Sequence, residues 1–259
     1  MQLHFSKYHG AGNDFVMIDN REGVFGDITV EKIQSICNRH TGVGADGIIL
    51  LDTYAGLDFR MRYFNADLGD ETMCGNGTRC IVAFAHQLGI IKNKARFQGR
   101  DGMYEAEILS EGIVSTHMQD VHIAKAHKDG FVCDTGCPHY VEAVSDTTKV
   151  DIVPFGRAIR YSSDFPSGIN VNVVEVVDGD IRMRTYERGV ENETLACGTG
   201  AVAVAVTLAK DARDGEKKHF KIKAPGGDLE VRLTREGDMF TDVWLTGPAV
   251  KAFEGTIHI

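Results

Sequence analysis

The chain has no run of basic residues beyond Lys217-Lys218, and Asp plus Glu outnumber Lys plus Arg by 37 to 28, a formal net charge of −9. Neutralising a phosphate backbone needs a basic patch, so the expected partner is a small molecule and not nucleic acid. Long apolar runs are also missing. The longest, Ala201 to Val206, is far short of the ~20 residues that span a bilayer. Met1-Gln2-Leu3-His4-Phe5 lacks the basic-then-apolar pattern of a signal peptide, so no membrane partner is expected and the chain reads as soluble and cytoplasmic. The six cysteines (Cys37, Cys74, Cys80, Cys133, Cys137, Cys197) show no disulfide-framework spacing and read as reduced thiols. Cys133, Cys137 and His139 have no second Cys/His pair at zinc-finger spacing, and no metal is expected. There is no glycine-rich dinucleotide fingerprint and no phosphate-binding loop, and nothing identifies a pyridoxal-binding lysine.

What is present is a motif written twice. Met73-Cys74-Gly75-Asn76-Gly77 and Ala196-Cys197-Gly198-Thr199-Gly200 each place a cysteine before a Gly-polar-Gly turn, and each turn opens a run of small and aliphatic residues. A helix N-terminus carries unpaired N–H groups and about half a positive charge, so a cysteine there is biased towards thiolate and an anion beside it is held by the amides. A single such motif is well explained as a small buried hydrophobe next to turn glycines. Two copies 123 residues apart, near half of the 259-residue chain, are not. With 43% hydrophobic residues the chain can build two cores, and the repeat favours two domains, residues 1–117 and 118–249.

Leu3 to Phe5 and Phe15 to Ile18 read as strands around a turn from Gly10 to Asp14, and Thr29 to His40 as an amphipathic helix. Gly47 to Leu51 and Phe59 to Phe64 read as strands, followed by a buried helix ending at Leu88 with Gly89 as its stop, then a hairpin from Met103 to Met118. Asp120 to Gly130 reads as a loose charged junction. Beyond it come a strand from Tyr140 to Val144, a helix from Phe155 to Tyr161 and a hairpin over Asp178-Gly179. A helix from Ala201 through Ala209 follows, then strands at 221–223, 228–233 and 240–245. Ala201 to Val206 alternates like a strand. The glycine turn before it and the parallel with the first half favour helix.

Asn13-Asp14-Phe15-Val16 and Pro138-His139-Tyr140-Val141 extend the echo, each preceding its cysteine by about 60 residues. The halves therefore read as two copies of one unit, each a sheet wrapped around its central helix, and two such units facing one another would aim both cysteine turns into one cleft. Two acid/base groups on opposite faces of one carbon are what inversion of a stereocentre needs. A thiol suits the task because its ordinary pKa of about 8.5 lies near working pH. A turnover of about 10 per second leaves a barrier near 16 kcal/mol, of which a helix dipole supplies at most ~2 kcal/mol. Preorganised donors, at ~3–4 kcal/mol each, must do more. The amides of Gly75, Asn76, Gly198 and Thr199 are the candidates.

His9 to Val16, Phe64-Asn65-Ala66-Asp67, Met73 to Cys80, Pro138-His139 and Tyr186 to Gly189 leading to Ala196 to Gly200 closely resemble the diaminopimelate epimerase family, in family order from residue 7 to the end. The resemblance implies a cofactor-independent epimerase converting LL-diaminopimelate to the meso form in lysine and peptidoglycan-precursor synthesis. It also implies an α/β fold of the α+β type, with two pseudo-symmetric domains, each a mostly antiparallel sheet around a central helix and the site in the cleft between them. A homodimer is implied too, and a last strand, within 250–259, that packs back on the first domain. Carried over by position, Cys74 and Cys197 are the proton donor and acceptor, and His139 and Glu187 tune them. Asn13, Asn65, Asn170, Glu187 and Arg188 match substrate contacts, with Gly75-Asn76 and Gly198-Thr199 as the carboxylate cradle.

The chain departs from the family at Gly47, where some members have glutamine, at Cys137, where asparagine is common, and at Phe253, where a tyrosine serves the dimer contact. Proline racemases also pair two cysteines, but usually have His where this chain has Asn76. Phenazine-type isomerases share the fold without the pair. A thiol redox switch, or a binding protein for an amino diacid, would each leave part of this constellation unexplained.

Overall fold

The computed structural model describes residues 2–66, 71–72 and 74–258, so Asp67 and Met73 of the quoted motifs lie outside the described residues. The chain forms two compact units, Met1–Thr116 with Gly247–Ile259, and His117–Thr246.

In the first unit β1 (Gln2–Gly10) turns into β2 (Asn13–Asp19) through Ala11 and Gly12 alone. Both turn residues take positive φ, 52° and 88°, as a two-residue hairpin requires, so the turn is tighter than the five residues expected. Helix α1 (Val30–Cys37) carries the chain to β3 (Gly47–Asp52), which lies parallel to β2. Thr29 caps α1 by accepting from the Lys32 amide. The helix stops at Cys37 and not at His40, because Asn38 turns extended and its side chain takes the His40 and Thr41 amides. Next, β4 (Phe59–Asn65) runs antiparallel to β3. Beside it lie β5 (Glu71–Thr72), antiparallel, and β6 (Lys94–Gln98), parallel. Helix α2 (Gly75–Gln87) is the crossover between β4 and β6. The hairpin of β7 (Met103–Ser110) and β8 (Ile113–His117) follows, and the chain's last strand, β19 (Val250–His258), pairs antiparallel with β1.

Both faces of this sheet are covered, which is why Phe15 to Ile18 and Ile48 to Leu51 read as unbroken apolar runs. Phe15, Met17, Ile49 and Leu51 pack with Ile81, Val82 and Phe84 of α2. Val16, Ile18, Ile48 and Leu50 pack with Ile33 and Ile36 of α1.

The second unit repeats the plan, with one 3-10 turn (Thr147–Lys149) added before its first α-helix. Strands β11 (Gly130–Asp134) and β12 (Pro138–Ala143) are antiparallel, and α3 (Ile152–Arg160) leads to β13 (Asn170–Val177), parallel to β12. Strand β14 (Asp180–Glu187) then carries β15 (Asn192–Thr194) antiparallel and β16 (Lys217–Ala224) parallel, with α4 (Gly198–Leu208) as the crossover. Strands β17 (Gly227–Glu236) and β18 (Met239–Pro248) close the succession. α3 starts at Ile152, three residues before the expected Phe155, because Pro154 sits in the first turn, where no N–H is needed. The stretch read as a loose junction holds β9 (Val121–His122) and β10 (Lys125–His127), which add to sheet edges with few buried side chains. Ala201 to Thr207 is buried throughout, as a central helix should be. No described helix is long and apolar enough to cross a membrane.

Candidate active site

Each cysteine of the repeated motif is the N-cap of a crossover helix. Cys74 precedes α2 with φ −144°, ψ 117°, and Cys197 precedes α4 with φ −118°, ψ 113°. First-turn amides of a helix have no carbonyl one turn back to bond, so Gly75-Asn76 and Gly198-Thr199 occupy the positions where an anion is held. The second glycines serve different neighbours. A Cβ on Gly77 would lie 2.7 Å from Ile49 Cδ1, whereas one on Gly200 would lie 2.6 Å from Asn172 Oδ1.

In the first unit Asn13, at the start of β2, turns its carbonyl to the thiol. Its Oδ1 accepts from Cys74 Sγ at 3.4 Å and from Asn76 Nδ2 at 3.3 Å. Its own Nδ2 donates to Asp46 Oδ2 at 2.5 Å, which fixes the amide's orientation. Asp46 in turn takes the Asp14 amide and Arg39, and Arg39 also forks onto Asp14. Burial opposes ionisation of Asp14, but hydrogen bonds from Arg39 and Lys7 outweigh it and hold the carboxyl well below its usual range. Asp46 and Arg39 were not singled out from sequence, because their role depends on a loop lying beside β2. Asn65 ends β4, in register with Gly47 at the start of β3. A Cβ at Gly47 would lie 2.5 Å from both Phe64 O and the Tyr63 ring. A side chain at this position therefore has no room without a shift of backbone.

Behind the thiol, the guanidinium of Arg79 is completely buried. It donates to Asn76 Oδ1 at 2.7 Å, Gly75 O at 3.3 Å and Pro248 O at 3.4 Å, and its burial lowers its pKa.

In the second unit the equivalent place at the start of β12 is held by His139. Its Nε2 lies 3.0 Å from Thr199 Oγ1, and Thr199 Oγ1 lies 3.4 Å from Cys197 Sγ, so the histidine meets the thiol through a hydroxyl. Cys197 Sγ also accepts the Gly200 amide at 3.4 Å. Burial, joined by the charge of Arg188, pushes the His139 pKa down to about 3, so the ring is neutral. Burial and then the Glu187 carboxylate push the Cys197 thiol well up, and the bonds from Thr199 and Gly200 work the other way. Cys137 Sγ is 3.5 Å from the same Thr199 oxygen.

Asn170, in register with His139, donates to Pro138 O at 3.2 Å and accepts the Arg188 amide at 2.8 Å. It braces the strand ends that carry His139 and Arg188. Glu187 accepts from Thr194 Oγ1 at 2.9 Å, and Arg188 reaches the carbonyls of Ser167 and Gly168 at 3.3 and 3.5 Å. Asn13, Asn65 and Cys74 to Asn76 thus sit in the first unit, and His139, Asn170, Glu187, Arg188 and Cys197 to Thr199 in the second. Asn172, fully buried behind His139, escaped the sequence reading as an ordinary strand residue.

Comparison with known proteins places this arrangement. The sequence model of the family described as diaminopimelate epimerase matches residues 5–123 and again 131–252, one match per half. A diaminopimelate epimerase of Flavobacterium psychrophilum is 43% identical over 253 residues, covering 97% of this chain and 98% of its own. One of Chlorobaculum tepidum is also 43% identical, over 260 residues, covering 96% and 99%. Among solved structures, a phenazine biosynthesis protein of the PhzF family from Bacillus anthracis superposes with a TM-score of 0.77 over all of both chains, at 15% identity, a likeness of fold. With both cysteine motifs inside the matched residues and the match running through both halves, the chain belongs to the diaminopimelate epimerase family.

Proposed function

We propose that the protein is a cofactor-independent epimerase interconverting LL- and meso-diaminopimelate, with Cys74 and Cys197 as its two acid/base groups. The observation that carries this reading is the placement of both thiols as N-caps of equivalent helices in a chain of this family. One thiolate takes the α-proton and becomes a thiol. The other thiol gives its proton to the opposite face and becomes the thiolate, so each turnover inverts one centre and exchanges the charge between the two sulfurs. The amides of Gly75, Asn76, Gly198 and Thr199 hold the substrate carboxylate and the charge that spreads onto it in the planar carbanion. At the distal head, Arg188 meets the carboxylate, Glu187 the ammonium, and Asn13, Asn65 and Asn170 supply mixed donors and acceptors. His139 and Glu187 set the affinity of Cys197 for its proton. The reading includes a cytoplasmic homodimer, with Phe253, half exposed on β19, as a candidate contact; light scattering in solution tests the dimer.

Proton NMR of LL-diaminopimelate with reduced protein in D2O, free of pyridoxal phosphate, tests the reading. The α-proton signal is expected to decay while the meso isomer appears, and Cys74→Ala and Cys197→Ala are each expected to stop the inversion. An untouched α-proton in the presence of wild-type protein would overturn it. Proline and hydroxyproline would then be the next substrates, and a redox or binding role the next class.

A further inference from the structure

Asn172 projects from the middle of β13 and has all its polar atoms engaged. Its Nδ2 donates to Tyr140 O at 3.0 Å, its Oδ1 accepts from Thr185 Oγ1 at 2.9 Å, and the same Nδ2 lies 3.1 Å from His139 Nδ1. A main-chain carbonyl can only accept, so the amide nitrogen must face Tyr140, and the second amide hydrogen then points at the imidazole. His139 Nδ1 is therefore an acceptor and carries no proton. The neutral ring keeps its hydrogen on Nε2, which is 3.0 Å from Thr199 Oγ1 and donates to it. With that lone pair used, the one hydroxyl hydrogen of Thr199 has two sulfurs in reach, Cys197 Sγ at 3.4 Å and Cys137 Sγ at 3.5 Å, and an ionised Cys197, which can only accept, draws it while the Cys137 thiol donates to the remaining lone pair.

We propose that Asn172 is a positioning residue for the second thiol: it locks His139 in the Nε2–H tautomer, and His139 thereby turns the Thr199 hydroxyl hydrogen onto Cys197. Whenever Cys197 is ionised, the thiolate then has two preset donors, the Thr199 hydroxyl and the Gly200 amide. Gly200 is part of the same device, since any side chain there would strike Asn172 Oδ1. The charged and titratable groups acting on this cluster are Glu187, Arg188, Cys137 and Asp134, and none of them supplies the directional bond that Asn172 makes. The inference deepens the epimerase reading and rests on it for its consequence, but its geometry can be tested without substrate.

Long-range proton–nitrogen correlation NMR of the 15N-histidine-labelled full chain at neutral pH should show His139 protonated on Nε2 alone. In Asn172→Asp the Nδ1 should gain a proton, because a carboxylate accepts where the amide donated. The pH midpoint for alkylation of Cys197, followed on its peptide by mass spectrometry, should rise by about one unit in Thr199→Val and stay near wild type in Thr199→Ser. The inversion rate of Asn172→Asp should fall ~10- to 100-fold with KM changed less than about threefold. An Nδ1–H tautomer or an imidazolium in the wild-type protein would overturn the proposal, as would equal alkylation midpoints for Thr199→Val and Thr199→Ser. Failure of the epimerase reading alone would leave the tautomer and the midpoints as stated and remove only the effect on inversion.

Discussion

Arg79, one turn into α2, donates back to Asn76 Oδ1 at 2.7 Å in the first turn, with its guanidinium closed off from solvent. A buried cation bound to neutral acceptors stabilises the turn only while every bond is made. Arg79→Ala is expected to cost on the order of 3 kcal/mol in urea denaturation. Arg79→Lys should recover little, since one ammonium cannot reproduce the guanidinium fork. A loss below about 1 kcal/mol would show that the turn does not depend on the guanidinium.

Asp46 orients Asn13, and Asn13 faces the Cys74 thiol. In Asp46→Ala the amide of Asn13 is free to turn over, presenting a donor where the thiol now finds an acceptor. Steady-state kinetics should show kcat/KM lowered by about tenfold, a loss of ~1.4 kcal/mol. Unchanged kinetics would mean that Asn13 is held by something other than Asp46.

The neutral His139 makes the second unit acid-sensitive. Its folded-state pKa of about 3 lies below the ordinary 6.5, so between those values the unfolded chain binds a proton that the native chain does not. Stability from this group is complete above pH 6.5 and is lost as pH falls, by up to about 1.4 kcal/mol per unit. Between pH 7 and pH 5 the wild-type protein should lose ~2 kcal/mol more than His139→Gln. Parallel slopes for the two proteins in urea titrations would contradict the burial of a neutral ring.

The two motif glycines should differ in tolerance. Gly77→Ala meets the end of the Ile49 side chain, which can rotate away, while Gly200→Ala meets Asn172 Oδ1, which is pinned by three hydrogen-bonded neighbours. Gly200→Ala is expected to lower the inversion rate at least tenfold, and Gly77→Ala by no more than about threefold, as judged in the deuterium-exchange assay. The reverse order would refute the stated reason for the second glycine.

Most elements were legible because local pattern and tertiary burial agree. Ala201 to Val206 shows how: its alternation suggests a strand, but a glycine turn, a cap residue and burial on all sides make it α4. The misses fall where pairing, not periodicity, decides. β9 and β10 bury few side chains and exist by hydrogen bonding to sheet edges. β6 carries only Ala95 and Phe97 on its buried face. The end of α1 falls at Cys37 because Asn38 turns extended and its side chain takes the next two free amides, while Arg39 beyond it pairs with Asp14 and Asp46.

The sequence by itself determined the repeat, the two helix-cap cysteines and the family, because cap chemistry and glycine turns act over a few residues and leave a local signature. Only the tertiary structure decided what stands beside each sulfur. Asp46, in the loop before β3, reaches Asn13 on β2, and Asn172 on β13 reaches His139 on β12, each across 33 residues of chain. Hydrogen bonds of that kind depend on strand register and on which way an amide faces, and neither is written in the spacing of residues along one strand. The two motifs therefore look alike in sequence, while in the fold Cys74 faces an amide carbonyl and Cys197 faces a hydroxyl and a helix amide.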